Sequence, residues 1–171
     1  MAKWGRFSIF GINKDTMQSI QSPEFIRATS DHPDFRKMVN ALDEDLNLRN
    51  GDIQRQYDRY NKIDQIKHAI VIYLEGKPVG CGCFKRFDKQ TVEMKRMFVL
   101  PEMRGKKLAA KMLQELENWA IEEGFVCAVL ETGVRQVEAQ RLYSIAGYSR
   151  TENYGQYVGM EDSICYRKEL K

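Results

Sequence analysis

The chain predicts an α/β fold: one mixed β-sheet with helices on both faces. Three patterns carry that expectation. Residues 91–99 form an extended run, a short glycine-bearing turn follows, and an amphipathic helix leads into a buried strand at 125–131. Two strands joined through a helix in one sheet lie parallel, by a right-handed crossover. Upstream, the runs 68–74, 79–85 and 91–99 are separated by Glu75-Gly76-Lys77-Pro78 and Phe87-Asp88-Lys89-Gln90, the pattern of an antiparallel meander. Downstream, a helix at 136–146 and an alternating strand at 163–169 extend the sheet.

In chain order, residues 1–21 are hard to place; Phe7-Ser8-Ile9-Phe10 suits a short strand, either an added edge or a loose arm. Residues 25–28 read as a strand. A helix runs from Asp31 to about Leu48, with Asp31 as cap, Pro33 in the first turn, and Phe35, Met38, Val39, Leu42 and Leu46 at helical spacing. Asn50-Gly51 ends it. Residues 52–66 are polar, a second helix or a loop. The helix from about Arg104 to Glu123 buries Leu108, Met112, Leu116, Trp119 and Ala120 and stops at Gly124. The strand at 125–131 centres on Cys127-Ala128-Val129-Leu130. The next helix turns Ala139, Leu142, Tyr143 and Ala146 inward and ends at Gly147.

The 171 residues suit a single domain, with 1–21 an N-terminal extension to a domain over 23–171. A hydrophobic content of 43% beside 30% charged residues is ordinary globular composition. No apolar run approaches a membrane span, and the first residues lack a secretory core. Four cysteines without framework spacing suit reduced thiols in the cytoplasm. Net charge is +3, too small to argue for nucleic acid. Residues 85–111 carry nine Lys/Arg against three Asp/Glu, so the positive excess concentrates there; a solvated face accounts for it equally well.

Arg104-Gly105-Lys106-Lys107-Leu108-Ala109 joins strand to helix at the carboxyl end of its strand, where open α/β sheets bind ligands. Free N–H groups at a helix start favour anions, and three cations stand beside them. A phosphate- or pyrophosphate-bearing ligand is the expectation.

The same segment resembles motif A of the GNAT superfamily of acyl-CoA N-acyltransferases, Arg/Gln-x-x-Gly-x-Gly/Ala, with Arg104 at its first position and Ala109 at its last. Lys107 stands where that family usually has glycine; a helix-start residue with ordinary φ keeps its N–H available. A second stretch, Gln136-x-x-Ala139-x-x-Leu142-Tyr143-x-x-x-Gly147-Tyr148, resembles the family's later motif, with Gln136 replacing Asn. The resemblance covers about residues 23–171 and implies splayed central strands with a pantetheine arm between them. It implies that Met97, Phe98 and Val99 pair with that arm, that Arg104, Gly105, Lys106, Lys107, Leu108 and Ala109 take the pyrophosphate, and that Gln136, Ala139 and Tyr143 line the arm. Acetyl-CoA is the implied cosubstrate. The acceptor is an amine on a small molecule or peptide; neither nucleic acid nor membrane is a partner, no metal is required, and a homodimer is common in the family.

Acyl transfer needs a neutral amine. The resemblance makes Glu93 the base, through water, and Tyr143 the acid that protonates the departing thiolate. Glu93 reads equally as a strand residue paired with Lys95 or Arg96; for Tyr143 the acid role is favoured, and the alternative is a core aromatic. Alternation puts Glu93, Lys95 and Met97 on one face and Met94, Arg96 and Phe98 on the other. Cys81 and Cys83 read as buried small hydrophobes rather than a metal half-site, and His32 and His68 as structural. Asp43-Glu44-Asp45 is a solvated helix face or a lure for a cationic amine. The loop at 154–159 lines the acceptor pocket or packs on its own tyrosines. The rival function is an acyl-CoA-binding sensor with little catalysis.

Overall fold

The computed structural model describes residues 22–51, 63 and 65–171. The Phe7–Phe10 strand and most of segment 52–66 lie outside them. Among the described residues seven strands form one sheet: β1 Glu24–Ala28, β2 His68–Leu74, β3 Lys77–Arg86, β4 Thr91–Val99, β5 Cys127–Gly133, β6 Ser149–Thr151 and β7 Ser163–Glu169, in the order β1-β2-β3-β4-β5-β7-β6. β1 to β4 run antiparallel, β4 and β5 are parallel, and β7 returns antiparallel to β5. The mixed sheet expected from the sequence is present; β6, three exposed residues, is an edge that no periodicity announced.

Among the described residues, three α-helices cover it. α1, Pro33–Asn50, packs Phe35, Met38, Val39, Leu42 and Leu46 on Ala69, Val71, Cys81, Cys83 and Phe98. α2, Leu108–Glu122, and α3, Val137–Ile145, cover the opposite face with Ile70, Ile72, Phe84, Val92, Met94 and Leu130. The cap of α1 is His32, not Asp31: its imidazole accepts from Asp34 N at 3.2 Å, and Pro33 takes the first helical position. α2 starts at Leu108, four residues later than the sequence suggested. A 3₁₀ turn at Pro101–Met103 and a loop with Gly105 at φ 80° and Lys107 at φ 60° precede it.

One irregularity in β4 decides which way its side chains point. Gly80 pairs with Val99 and Cys81 with Phe98, but Cys83 pairs with Lys95, so β4 holds an extra residue opposite Gly82. Arg96 absorbs it at φ 58°, a left-handed conformation that costs a non-glycine residue about 1–3 kcal/mol. The bulge reverses the alternation. Val92 and Met94 before it face α2, and so do Met97 and Val99 after it, whereas Phe98 turns to α1. The expected pairing of Met97 with the face of Glu93 is therefore corrected, because a period of two does not survive an inserted residue.

Candidate active site

β4 and β5 pair only from Thr91↔Cys127 to Met94↔Leu130. Beyond that register the strands part, although β5 stays paired to β7 as far as Gly133↔Ser163. Residues 95–99 of β4 thus turn an unpaired backbone edge toward β5. A cleft occupies the wedge, bounded by Leu42 and Leu46 of α1, Lys95, Arg96 and Met97 of β4, Glu131 and Thr132 of β5, and Tyr143 of α3.

The residues expected from the sequence divide. Met97, Gln136 and Tyr143 line the cleft. Gln136 stands at the N-cap of α3, where its Oε1 accepts from Thr132 Oγ1 at 2.9 Å. Tyr143 is buried, and burial pushes its phenol well above the usual range, so it stays protonated. Ala139 packs on the α2-side core. Phe98 and Val99 are buried in the two cores; Val99 O accepts from Arg104 Nε at 3.1 Å.

Arg104, Gly105, Lys106 and Lys107 are exposed ahead of α2. The first turn of α2 has no side-chain cap and no acidic residue, so its amides are open to an outside acceptor. Leu108 is buried as an anchor and Ala109 partly so. Lys107 does not have the ordinary helix-start φ expected of it. It sits in the left-handed conformation that a glycine adopts freely, which is why a glycine is the natural residue there.

Glu93 is 2% exposed and does not border the cleft. Its Oε2 lies 3.2 Å from Lys85 Nζ; its Oε1 lies 3.7 Å from Lys95 Nζ and accepts from Tyr157 Oη at 3.2 Å and Tyr154 Oη at 3.3 Å. Lys95 also donates to Tyr157 Oη at 3.1 Å. The 154–157 loop is thus packed on its own tyrosines, and those tyrosines cap Glu93.

Sequence reasoning missed Glu131. It ends the apolar run of β5, borders the cleft, and accepts from Ser163 Oγ at 2.7 Å. Burial pushes its carboxyl up to about 7; the Ser163 hydrogen bond and Lys95 oppose the shift, and Glu93 adds to it. The available signal was a carboxylate closing a buried strand at the carboxyl end of the sheet.

The acidic stretch of α1 turns to arginines. Asp43 Oδ1 accepts from Arg96 Nη2 at 2.5 Å, and Asp45 meets Arg49 at 3.0 Å and Arg104 at 3.4 Å. Arg96 Nε is buried and has no acceptor. The cysteines are thiols: Cys81 and Cys83 are fully buried against α1, and burial raises both. His68 stacks on Phe84 at 4.4 Å. Among the described residues no His/Cys/Asp/Glu group is arranged to hold a metal, and no helix is long and apolar enough to cross a membrane.

A wedge between parting parallel strands, with an uncapped helix start beside it, is the arrangement expected for an acyl-CoA site. The acetyltransferase (GNAT) family model matches residues 26–148. The chain belongs to the GNAT acetyltransferase family. By class it is an acetyl-CoA-dependent N-acetyltransferase. It is 34% identical over 102 residues to an IAA acetyltransferase of Azospirillum brasilense, covering 59% of this chain and 67% of that one. It is 28% identical to the N-acetyltransferase YjgM of Escherichia coli, over 77% and 85% of the two chains. Two further N-acetyltransferases, from Schizosaccharomyces pombe and Archaeoglobus fulgidus, are matched over only 56% and 63% of their lengths. Among solved structures, an acyl-CoA N-acyltransferase of Klebsiella pneumoniae superposes with a TM-score of 0.74 at 27% identity, over 87% of this chain and 98% of that one. The fold is also that of yncA from Salmonella typhimurium, solved with acetyl-CoA, at a TM-score of 0.65, 18% identity, and 88% and 95% coverage.

Proposed function

We propose that this GNAT member moves an acetyl group from acetyl-CoA to an amine by direct attack, with Glu131 as base and Tyr143 as acid. The carrying observation is that these two groups border one cleft, each held protonated or near its midpoint by burial. The open edge of β4 beyond the bulge receives the pantetheine arm as an added strand. The amides of the 104–109 turn take the pyrophosphate, with Arg104, Lys106 and Lys107 supplying charge.

Glu131 takes a proton from the acceptor's ammonium, whose ordinary pKa is ~10.4 for a lysine-like amine. The neutral amine attacks the thioester carbonyl, and main-chain N–H groups near Met97 and Phe98 hold the oxyanion. As the C–S bond breaks, the Tyr143 phenol protonates the sulfur. The second amine proton then restores the phenol through water, so the reaction releases amide, free thiol and one proton. Glu93, the base expected from the sequence, serves instead as counter-charge to Lys85 and Lys95 and holds Lys95 beside Glu131. The unpaired thiols agree with a cytoplasmic setting.

Calorimetric titration with acetyl-CoA at two salt concentrations, followed by release of free thiol across an amine panel, tests the reading. Stoichiometric, salt-weakened binding and turnover lost in Glu131→Gln are expected. Binding with no turnover of any amine would favour an acyl-CoA sensor; no binding by folded protein removes the acyltransferase reading.

A further inference from the structure

We propose that the acceptor is an amine that also carries a carboxylate, and that Arg96 selects it. The inference rests on the acetyltransferase reading and adds the acceptor's chemical class. Three observations converge on it. The Arg96 side chain is 3% exposed, yet it borders the same cleft as Glu131. Its guanidinium is only partly used: Nη2 donates to Asp43, while the buried Nε–H has no acceptor. A buried donor without a partner is rare in a folded protein and marks a place where an outside acceptor belongs. Finally, Arg96 is held in position at a backbone cost, since it is the residue that adopts a positive φ to form the β4 bulge. Strain of this kind collects where a side chain must be aimed.

The charge of the cleft points the same way. Its border carries Lys95, Arg96 and Arg135 against Glu131 and Asp162, and burial holds Glu131 near its midpoint at neutral pH. Glu93 and Asp43 already pair Lys95 and Arg96, so the cleft holds no large excess of either sign and suits a ligand that carries both charges. A guanidinium matches a carboxylate better than a point charge does. With the carboxylate at the Arg96 guanidinium and the ammonium toward Glu131, the acceptor is held at both ends before it loses its proton. Asp43 is 45% exposed at its side chain and stays as the second partner of Arg96, so the guanidinium bridges an internal and an external carboxylate. An amide in place of the acid would offer one neutral oxygen and bring an NH₂ against a cation.

The test is acid against amide. Free thiol release is followed with glycine, β-alanine, L-methionine and L-phenylalanine, each beside its carboxamide, for the wild type, Arg96→Lys and Arg96→Gln. Acetyl-CoA affinity is measured by calorimetry on each protein. At least one acid is expected to exceed its own amide by tenfold or more in kcat/KM, roughly what one charged polar contact confers. In Arg96→Gln that preference falls to about threefold or less while acetyl-CoA still binds, and Arg96→Lys keeps part of it. Amides that match their acids in the wild type overturn the proposal, as does a preference that survives in Arg96→Gln, or failure to use any acid in protein that binds acetyl-CoA. Because the wild-type ratio stands alone, a variant that does not fold leaves the test intact. Loss of acetyl-CoA binding by the wild type instead strikes the acetyltransferase reading, and calorimetry reports it separately.

Discussion

Replacing Glu131 by Gln should stabilise the protein while stopping its reaction. The carboxyl is pushed from 4.5 up to about 7, chiefly by burial. A shift of that size corresponds to roughly 3 kcal/mol of folding free energy. Its sign comes from proton counting. Between pH 4.5 and 7 the unfolded chain has lost this proton and the folded chain keeps it, so stability falls as pH rises through that window and levels off above it. Gln keeps the shape and can still accept from Ser163 Oγ, but it carries no proton to lose. Denaturant unfolding at pH 5 and pH 8 should therefore show Glu131→Gln gaining up to about 3 kcal/mol on the wild type at pH 8 and much less at pH 5. In the same protein kcat/KM should drop by about 100-fold or more, and the rise of rate near pH 7 should vanish. Parallel stability curves for the two proteins from pH 5 to pH 8 would refute the argument, because they would mean that this carboxyl titrates alike in the folded and unfolded chain.

The same geometry sets three other outcomes. Tyr143→Phe should lower kcat by about 100-fold with little change in acetyl-CoA affinity, since the ring stays in its packed position and only the proton donor is lost; a variant with unchanged kcat assigns the tyrosine to packing alone. Lys107→Gly should be more stable than Lys107→Ala by about 1 kcal/mol, because only glycine is at ease at φ 60°; equal melting temperatures would remove the strain. Gly80→Ala should destabilise by about 2 kcal/mol, as an added Cβ would lie 2.7 Å from the Phe98 carbonyl oxygen, a backbone atom with nowhere to go; thermal unfolding measures it.

Much of the architecture was legible because it rests on period and punctuation. The apolar face of α1, the two strand-to-turn-to-helix passages and the glycines at 51, 124 and 147 all announce themselves locally. What escaped depends on contacts far apart in sequence. The reversal at Arg96 arises where β4 must fit an extra residue against Gly82, and nothing in Met94-Lys95-Arg96-Met97 marks which residue will carry it. His32 displaced Asp31 as cap because the cap is chosen by where the helix starts, not by the best capping residue nearby. Glu93 and Glu131 are both glutamates on central strands. Only the point at which β4 leaves β5 decides that one is enclosed by lysines and tyrosines while the other opens on the wedge.

The early end of the β4–β5 ladder has a further consequence. Beyond Met94 the β4 edge has no β5 partner, so a cosubstrate bound there as proposed would complete the secondary structure as well as fill a space. Ligand-linked stability then obeys mass action: about 2.7 kcal/mol at a concentration a hundred times the dissociation constant. Amide exchange at residues 97–99 should slow on binding more than exchange elsewhere in β4. The folded lifetime of this enzyme, and with it the amount a cell retains, would track the supply of activated acetyl groups, so that the protein reports on the same metabolite it consumes.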